Sequence, residues 1–259
     1  MGASKLKSYS LIIFVFCCCS DNRNKIPAIE KHENGQFSIQ GTYVDNLEEG
    51  VWSFWYENGK LEKKGIFKEG KKDGEWNYWY EDGSLKKTEN YKDGKLNGYY
   101  LEISELGNKT VEGSYNKGEK FGEWMFWNKN GVLTSISNFK NDYLDGMVKL
   151  FYPNSLVAGQ GMYEEGNLKG DWIGFYSNGL KSIQIRIEKG KQYYLNIWDS
   201  LGNHQVKDGF GKFNYILPYG NLSISGEVSN KVPVGKWYHI TGTDTTMVDS
   251  LIYTIPLVN

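Results

Sequence analysis

Three histidines, His32, His204 and His239, and a few paired carboxylates are the side chains in this sequence that could carry acid–base or metal chemistry. The histidines lie far apart along the chain and none stands in a recognisable site motif, so surface or cross-strand roles are expected for them. The pairs Glu48-Glu49, Glu81-Asp82 and Glu164-Glu165 each sit beside a glycine that recurs at a fixed interval. Carboxylates that return with a repeat line solvated loops and do not converge on one pocket. Glycine-rich stretches read as turns and not as phosphate loops, because no helix follows them to supply a positive N-terminus. The expectation is a non-enzymatic protein with no cofactor and no metal.

One chemistry remains, at Cys17, Cys18 and Cys19, the three cysteines of the chain. They exclude disulfides, thiolate metal sites and thiol catalysis from everything that follows. The segment before them starts basic, "MGASKLK", continues apolar, "SYSLIIFVF", and turns polar at "SDNRNK". That order is a secretory signal, too short to span a bilayer as a stable helix. A signal that ends on cysteine resembles a bacterial lipoprotein signal, in which the retained cysteine is acylated. Cleavage requires small residues upstream, which makes Cys19 the expected lipidation site and Cys18 the alternative. Residues 1–19 are then signal, 20–30 tether and 31–259 the folded body, held by a lipid anchor on a membrane of the bacterial envelope, on its periplasmic or cell-surface face. Acidic and basic residues nearly cancel, to a formal charge of -1. Lys is interleaved with Glu and Asp, and with no basic face no nucleic-acid partner is expected.

The body is an array. Gly50, Gly74, Gly98, Gly122, Gly146 and Gly170 are spaced by 24 residues without interruption. Gly59, Gly83, Gly107, Gly131, Ser155 and Gly179 follow nine residues behind, and Gly70, Gly94, Gly118, Asp142, Gly166 and Gly190 follow twenty behind. The pattern loses residues near "HQVKDGFG" and resumes at Gly211, Gly220 and Gly235, while Gly35 and Gly41 mark a weaker leading copy. A short fixed period of this kind builds a fold from copies of one supersecondary unit, about nine of them here.

Within a unit, an aromatic-rich run such as "VWSFWYE" leads to Asn58-Gly59, Asp82-Gly83, Asn130-Gly131 or Asn178-Gly179. These dipeptides signal a two-residue type I′ hairpin turn, so each unit is expected to be a β-hairpin. Such a turn sets Trp52 opposite Gly65, Phe54 opposite Lys63 and Tyr56 opposite Leu61. The same rule sets Tyr100 opposite Gly113, Val148 opposite Gly161 and Phe213 opposite Gly226. A glycine without Cβ leaves room for a ring to cover it. Nine hairpins give on the order of 17 strands at ~4.8 Å, a sheet of roughly 80 Å before twist. "SLIYTIPLVN", with Pro256, is the expected C-terminal cap.

The series Gly65, Phe67, Gly70, Gly74, Trp76, Trp79, Gly83 and Leu85 resembles the MORN repeat, and more closely the bacterial variant found in antitoxin-like proteins and lipoproteins. The resemblance implies an all-β, elongated, twisted antiparallel sheet of repeated hairpins. It also implies a role in contact with lipid headgroups, with protein partners or with further copies.

Strand alternation turns Trp52, Phe54 and Tyr56 to one face and Trp55 to the other. Position by position this second face shows Trp55, Trp79, Ile103, Trp127, Phe151, Phe175, Ile216 and Ile240. Either a bulge or a curl of the sheet buries this row, or it is an aromatic stripe for a partner, with Trp55, Trp79, Trp127, Phe151 and Phe175 as its binding residues. The expected function is that of a lipid-anchored binding or scaffold protein with a protein partner at the envelope. The alternatives are a surface glycan binder, because Trp and Tyr rings stack on sugars, and an antitoxin- or immunity-like protein by family analogy.

Overall fold

A computed structural model of the chain describes residues 24–216, 222–241 and 244–248. They form a single antiparallel sheet of 21 strands, with no helix among the described residues. Strands follow one another in chain order: Lys71–Trp79 pairs with Leu85–Lys92, which pairs in turn with Lys95–Ile103 and so on along the array. The expected signal, its cysteines and the expected cap lie outside the described residues. The expected tether is shorter than 20–30, because Lys25–Lys31 already pairs with Phe37–Val44 as the outgoing strand of the leading copy. That copy keeps its phase, with Gly35 standing 24 residues before Gly59.

Two kinds of turn alternate, and they are the reverse of the expectation. At Asn58-Gly59 only the glycine has positive φ, 79°. Gly59 N donates to Tyr56 O at 2.9 Å and Tyr56 N to Lys60 O at 2.9 Å, a type I turn closed by a left-handed glycine. Asn58 is there for its side chain: Oδ1 accepts from Lys60 N at 3.0 Å and Nδ2 donates to Glu81 O of the next hairpin at 2.8 Å. The type I′ turns lie at the other edge of the sheet. Glu69 and Gly70, φ 49° and 74°, and Asp93 and Gly94, φ 50° and 79°, each link two strands through two left-handed residues.

The longer loop sets Trp55 opposite Leu61, and Tyr56 is therefore not opposite Leu61 as expected. One residue of register is then regained between Phe54 and Trp55, restoring Phe54 to Lys63 and Trp52 to Gly65. The pairs Tyr100 with Gly113, Val148 with Gly161 and Phe213 with Gly226 also form.

Each Trp ring nevertheless covers the glycine of the preceding strand. A Cβ on Gly65 would fall 2.2 Å from the Trp76 ring, one on Gly41 2.2 Å from Trp52, and one on Gly113 2.2 Å from Trp124. The cause lies at Gly74, whose φ of 68° in mid-strand breaks the register with the preceding strand and swings Trp76 back across it. Where the covering side chain is smaller than Trp, the covered residue is larger than Gly: Tyr100 faces Glu89 and Val148 faces Ser137, each eleven residues earlier.

The face carrying Trp52, Trp76 and Trp124 is the core face. From Val148 onward it closes into an apolar cluster of Leu150, Tyr152, Trp172, Ile183, Ile185, Tyr194, Ile197 and Val206. Along the longer-loop edge, successive hairpins are bolted together by Tyr hydroxyls. Tyr56 Oη donates to Trp79 O, Tyr80 Oη to Ile103 O, Tyr152 Oη to Phe175 O and Tyr176 Oη to Trp198 O, all at 2.7 Å. His32 takes the same place in the leading copy, its Nε2 lying 2.8 Å from Trp55 O. That accounts for one of the three histidines structurally.

Candidate binding faces of the sheet

The fifth-position row forms as a row. Trp55 pairs with Leu61, Trp79 with Leu85, Trp127 with Leu133 and Phe151 with Val157, so aromatic and aliphatic residues alternate from strand to strand. Ile103 and Phe175 extend it, each opposite a lysine, Lys109 and Lys181. The register shift at each of these positions does not turn the row into the core. Leu150 and Tyr152 belong to the apolar cluster, while Phe151 between them does not. Trp55, Trp79, Ile103, Trp127, Phe151 and Phe175 are all half-buried. Trp55 leans on Phe37 at 6.2 Å between ring centres, and Lys109 Nζ lies 5.9 Å from the centre of the Trp127 ring.

Sequence reasoning missed Trp198. It pairs with His204 after the same register shift, and their rings lie 5.0 Å apart. The hairpin that carries it is short, with its type I′ turn at Asp208-Gly209, only 19 residues after Gly190. The glycine count passed over the unit, although Gly202, with φ 90°, marks its loop and could have revealed it. The side chains of Ile216, Ile240 and His239 lie outside the described residues.

The core face of the first hairpins carries charge. Lys63, Tyr78 and Lys87 stand side by side on three adjacent strands. Lys72 Nζ donates to Tyr78 Oη at 2.6 Å and lies 4.5 Å from the centre of the Trp76 ring and 4.7 Å from that of Tyr91. Glu89, buried, accepts from Lys87 at 2.7 Å and from Tyr91 Oη at 2.8 Å. Burial holds the Lys72 ammonium below the usual lysine range; Glu89 opposes this, and repulsion from Lys63 and Lys87 adds to it. Burial works to raise the Glu89 pKa, but hydrogen bonds from Lys87, Tyr78 and Tyr91 outweigh it and hold the carboxyl below its ordinary value. The same burial and the bond to Glu89 push Tyr91 up to about 12. Lys72, Tyr78, Lys87, Glu89 and Tyr91 are partnered within the cluster, and Lys63 Nζ lies over the Phe54 ring, 4.5 Å from its centre, so it is a built interior of rings and ion pairs.

Two of the paired carboxylates cap loops and one makes a surface ion pair: Glu49 accepts from Glu69 N at 2.9 Å, Asp82 from Ser84 N at 2.7 Å, and Glu164 pairs with Lys169 at 2.7 Å. Hydrogen bonds from Ser84 hold the Asp82 carboxyl low. Recesses lie between neighbouring turns; one of about 510 Å³ is lined by Lys92, Asp93, Lys95, Asn97, Asn116 and Lys117. It holds no nucleophile beside a base. No group of His, Cys, Asp and Glu able to hold a metal ion occurs among the described residues.

Residues 48–69, 72–93 and 122–141, three stretches of the array, match the MORN repeat variant family. All three stretches fall in the charged, Trp-over-Gly part of the sheet. No curated protein matches the chain.

Proposed function

We propose that the chain is a non-enzymatic binding or scaffold protein of a bacterial envelope, anchored by a lipid on Cys19 or Cys18, that engages a protein partner through the row from Trp55 to Trp198. The observation that carries this reading is the row itself. It keeps large apolar side chains only partly buried on the face opposite the core, and it does so in both halves of the array although the core beneath changes from charged to apolar. Contiguous apolar surface kept outside a core marks contact surface. Rings about 10 Å apart, two strand spacings, suit an extended partner lying across the strands.

The test uses residues 20–259 without acyl group as bait in envelope extract. Capture of a partner by the wild-type chain, and its loss with Trp55→Ala, Trp79→Ala and Trp127→Ala combined, supports the proposal. Equal capture by both refutes it for this row. The anchor is tested apart from this: the double variant Cys18→Ala, Cys19→Ala should lose fatty-acid label and membrane association, and a wild-type chain without label refutes the anchor.

A further inference from the structure

Five Asn-Gly dipeptides occur in the sequence, at 34–35, 58–59, 97–98, 130–131 and 178–179. Asn-Gly is the sequence at which a backbone nitrogen most readily attacks a side-chain amide, because glycine presents no Cβ to obstruct the approach. Whether the reaction runs in a folded chain depends on how the asparagine amide is held, and here the five are not held alike.

In three loops the amide is tied at both ends. Asn34 donates from Nδ2 to Glu57 O at 2.6 Å and accepts at Oδ1 from Gln36 N at 3.0 Å. Asn58 donates to Glu81 O at 2.8 Å and accepts from Lys60 N at 3.0 Å, and Asn178 donates to Ser200 O at 2.9 Å and accepts from Leu180 N at 3.0 Å. Asn97 lies within the strand Lys95–Ile103, where Gly98 pairs with Tyr115, and its Oδ1 accepts from Lys117 N at 3.1 Å.

Asn130 differs. Its side chain is exposed and makes no hydrogen bond among the described residues, because Asn128 has displaced it. Asn128 stands where Tyr56, Tyr80, Tyr152 and Tyr176 stand in other hairpins. Too short to reach the next hairpin, it turns inward, and its Oδ1 accepts from Asn130 N at 2.9 Å and Val132 N at 3.2 Å. The attacking nitrogen does not distinguish the sites. Gly131 N donates to Asn128 O at 2.9 Å just as Gly59 N does to Tyr56 O at 2.9 Å and Gly179 N to Tyr176 O at 2.8 Å. The difference lies in the amide.

We infer that Asn130 is a self-modification site at which the folded chain deamidates selectively. Gly131 N loses its proton and bonds to Asn130 Cγ, and Nδ2 leaves as ammonia. Water then opens the resulting five-membered imide to aspartate or isoaspartate. The aspartate product fits the loop, since Asp82 occupies the same position two hairpins earlier and caps Ser84 N at 2.7 Å. The new charge would appear where the Tyr and Asn bridges between neighbouring loops are interrupted, between the hairpins that end at Trp127 and at Phe151.

The experiment is timed peptide mapping by mass spectrometry of the folded array, residues 20–259, at mildly alkaline pH, with the same chain in denaturant as reference. In denaturant all five sites should react at similar rates. In the folded chain Asn130 should stay close to its denatured rate, while Asn34, Asn58 and Asn178, which must first break two hydrogen bonds, should slow by on the order of tenfold or more. Asn128→Tyr, which restores the residue of the other hairpins, should slow Asn130. Protection of Asn130 equal to that of the other loops, or a folded-state rate at Asn58 or Asn178 matching it, would overturn the assignment.

Discussion

The hairpins between residues 48 and 140 and those between 143 and 213 share one backbone plan and differ in what it encloses. At one register position the first part has Lys72, Leu96 and Lys120, and the second has only leucine, Leu144 and Leu168. On the return strand the position of Lys63 and Lys87 is taken in later copies by Val111, Ser135, Gly159 and Ile183, and that of Gly65 and Glu89 by Gly113, Ser137, Gly161 and Ile185, so charge is lost and isoleucine arrives last. In the first part, lysine stems roof the rings: Lys120 Nζ lies 4.8 Å from the Trp124 ring centre and 5.1 Å from that of Phe139. In the second, Leu144 and Leu168 pack on an apolar cluster whose Ile185 and Ile197 are wholly buried. The hydrogen-bond ladder, the turns and the ring-over-small-residue pairing therefore define the fold, and the interior chemistry is free to vary upon them. The MORN-variant match follows the first part, where the Trp and Gly of the motif are intact.

The comparison can be broken most severely at the pairing both parts share. Gly65→Val sets new carbon atoms inside the Trp76 ring and should cost about 3 kcal/mol or more. Trp76→Ala, which empties the same space, should cost roughly 3 to 5 kcal/mol. The pair Gly65→Ser with Trp76→Val, which copies Ser137 and Val148, should be more stable than the two single costs together allow. A double-mutant cycle in urea reads the coupling, expected at about 1 kcal/mol or above.

Exchange between the two parts should be unequal. Leu144→Lys introduces an ammonium over an apolar cluster with no carboxylate placed as Glu89 is, and should cost about 2 kcal/mol. Lys72→Leu removes a half-buried charge and should be neutral or gain about 1 kcal/mol, as replacing buried ions by apolar side chains often does. Equal losses in both directions would show that the two interiors are not versions of one plan.

Acid should separate the parts as well. Glu89 has a folded pKa below its unfolded value, so its contribution is fully present above the ordinary carboxylate range and is lost as pH falls through the folded value. Hydrogen exchange, corrected for intrinsic rate, should show strands 71–92 loosening ahead of 181–198 on acidification. Glu89→Gln should abolish that difference. The smallest effect is expected on the loops. Asn58→Ala gives up a cap and an inter-hairpin bond and should cost about 1 kcal/mol, while Asn130→Ala should leave the urea midpoint unchanged.

Much of this was legible in the sequence because it is periodic. Three phased glycine registers declare hairpins, and the Trp52 to Gly65 pairing that a two-residue turn implies forms although the turn is longer. The longer loop at Asn58-Gly59 and the register shift beside Trp55 offset one another by one residue, so pairs beyond the shift are unaffected. Turn type was not legible, because Asn-Gly serves equally a type I′ turn and a loop whose asparagine is needed for its side-chain bonds. Trp198 was hidden by a shortened hairpin. The Lys72 and Glu89 cluster was hidden because lysine and glutamate in an amphipathic strand read as solvent-facing, and only the neighbouring rings make them interior. The aromatic row was found, but its half-buried state depends on neighbours from other hairpins that strand alternation does not reveal.

The central claim is that one face of the sheet holds the molecule together and the other is kept for contact. The most direct measurement sets Trp55→Ala, Trp79→Ala and Trp127→Ala against Trp52→Ala, Trp76→Ala and Trp124→Ala in parallel urea denaturations of the purified array. The half-buried row is expected to cost about 1 kcal/mol per residue, and the core Trp residues roughly 3 to 5 kcal/mol each. Equal costs on the two faces would make the row a second core and contradict the account.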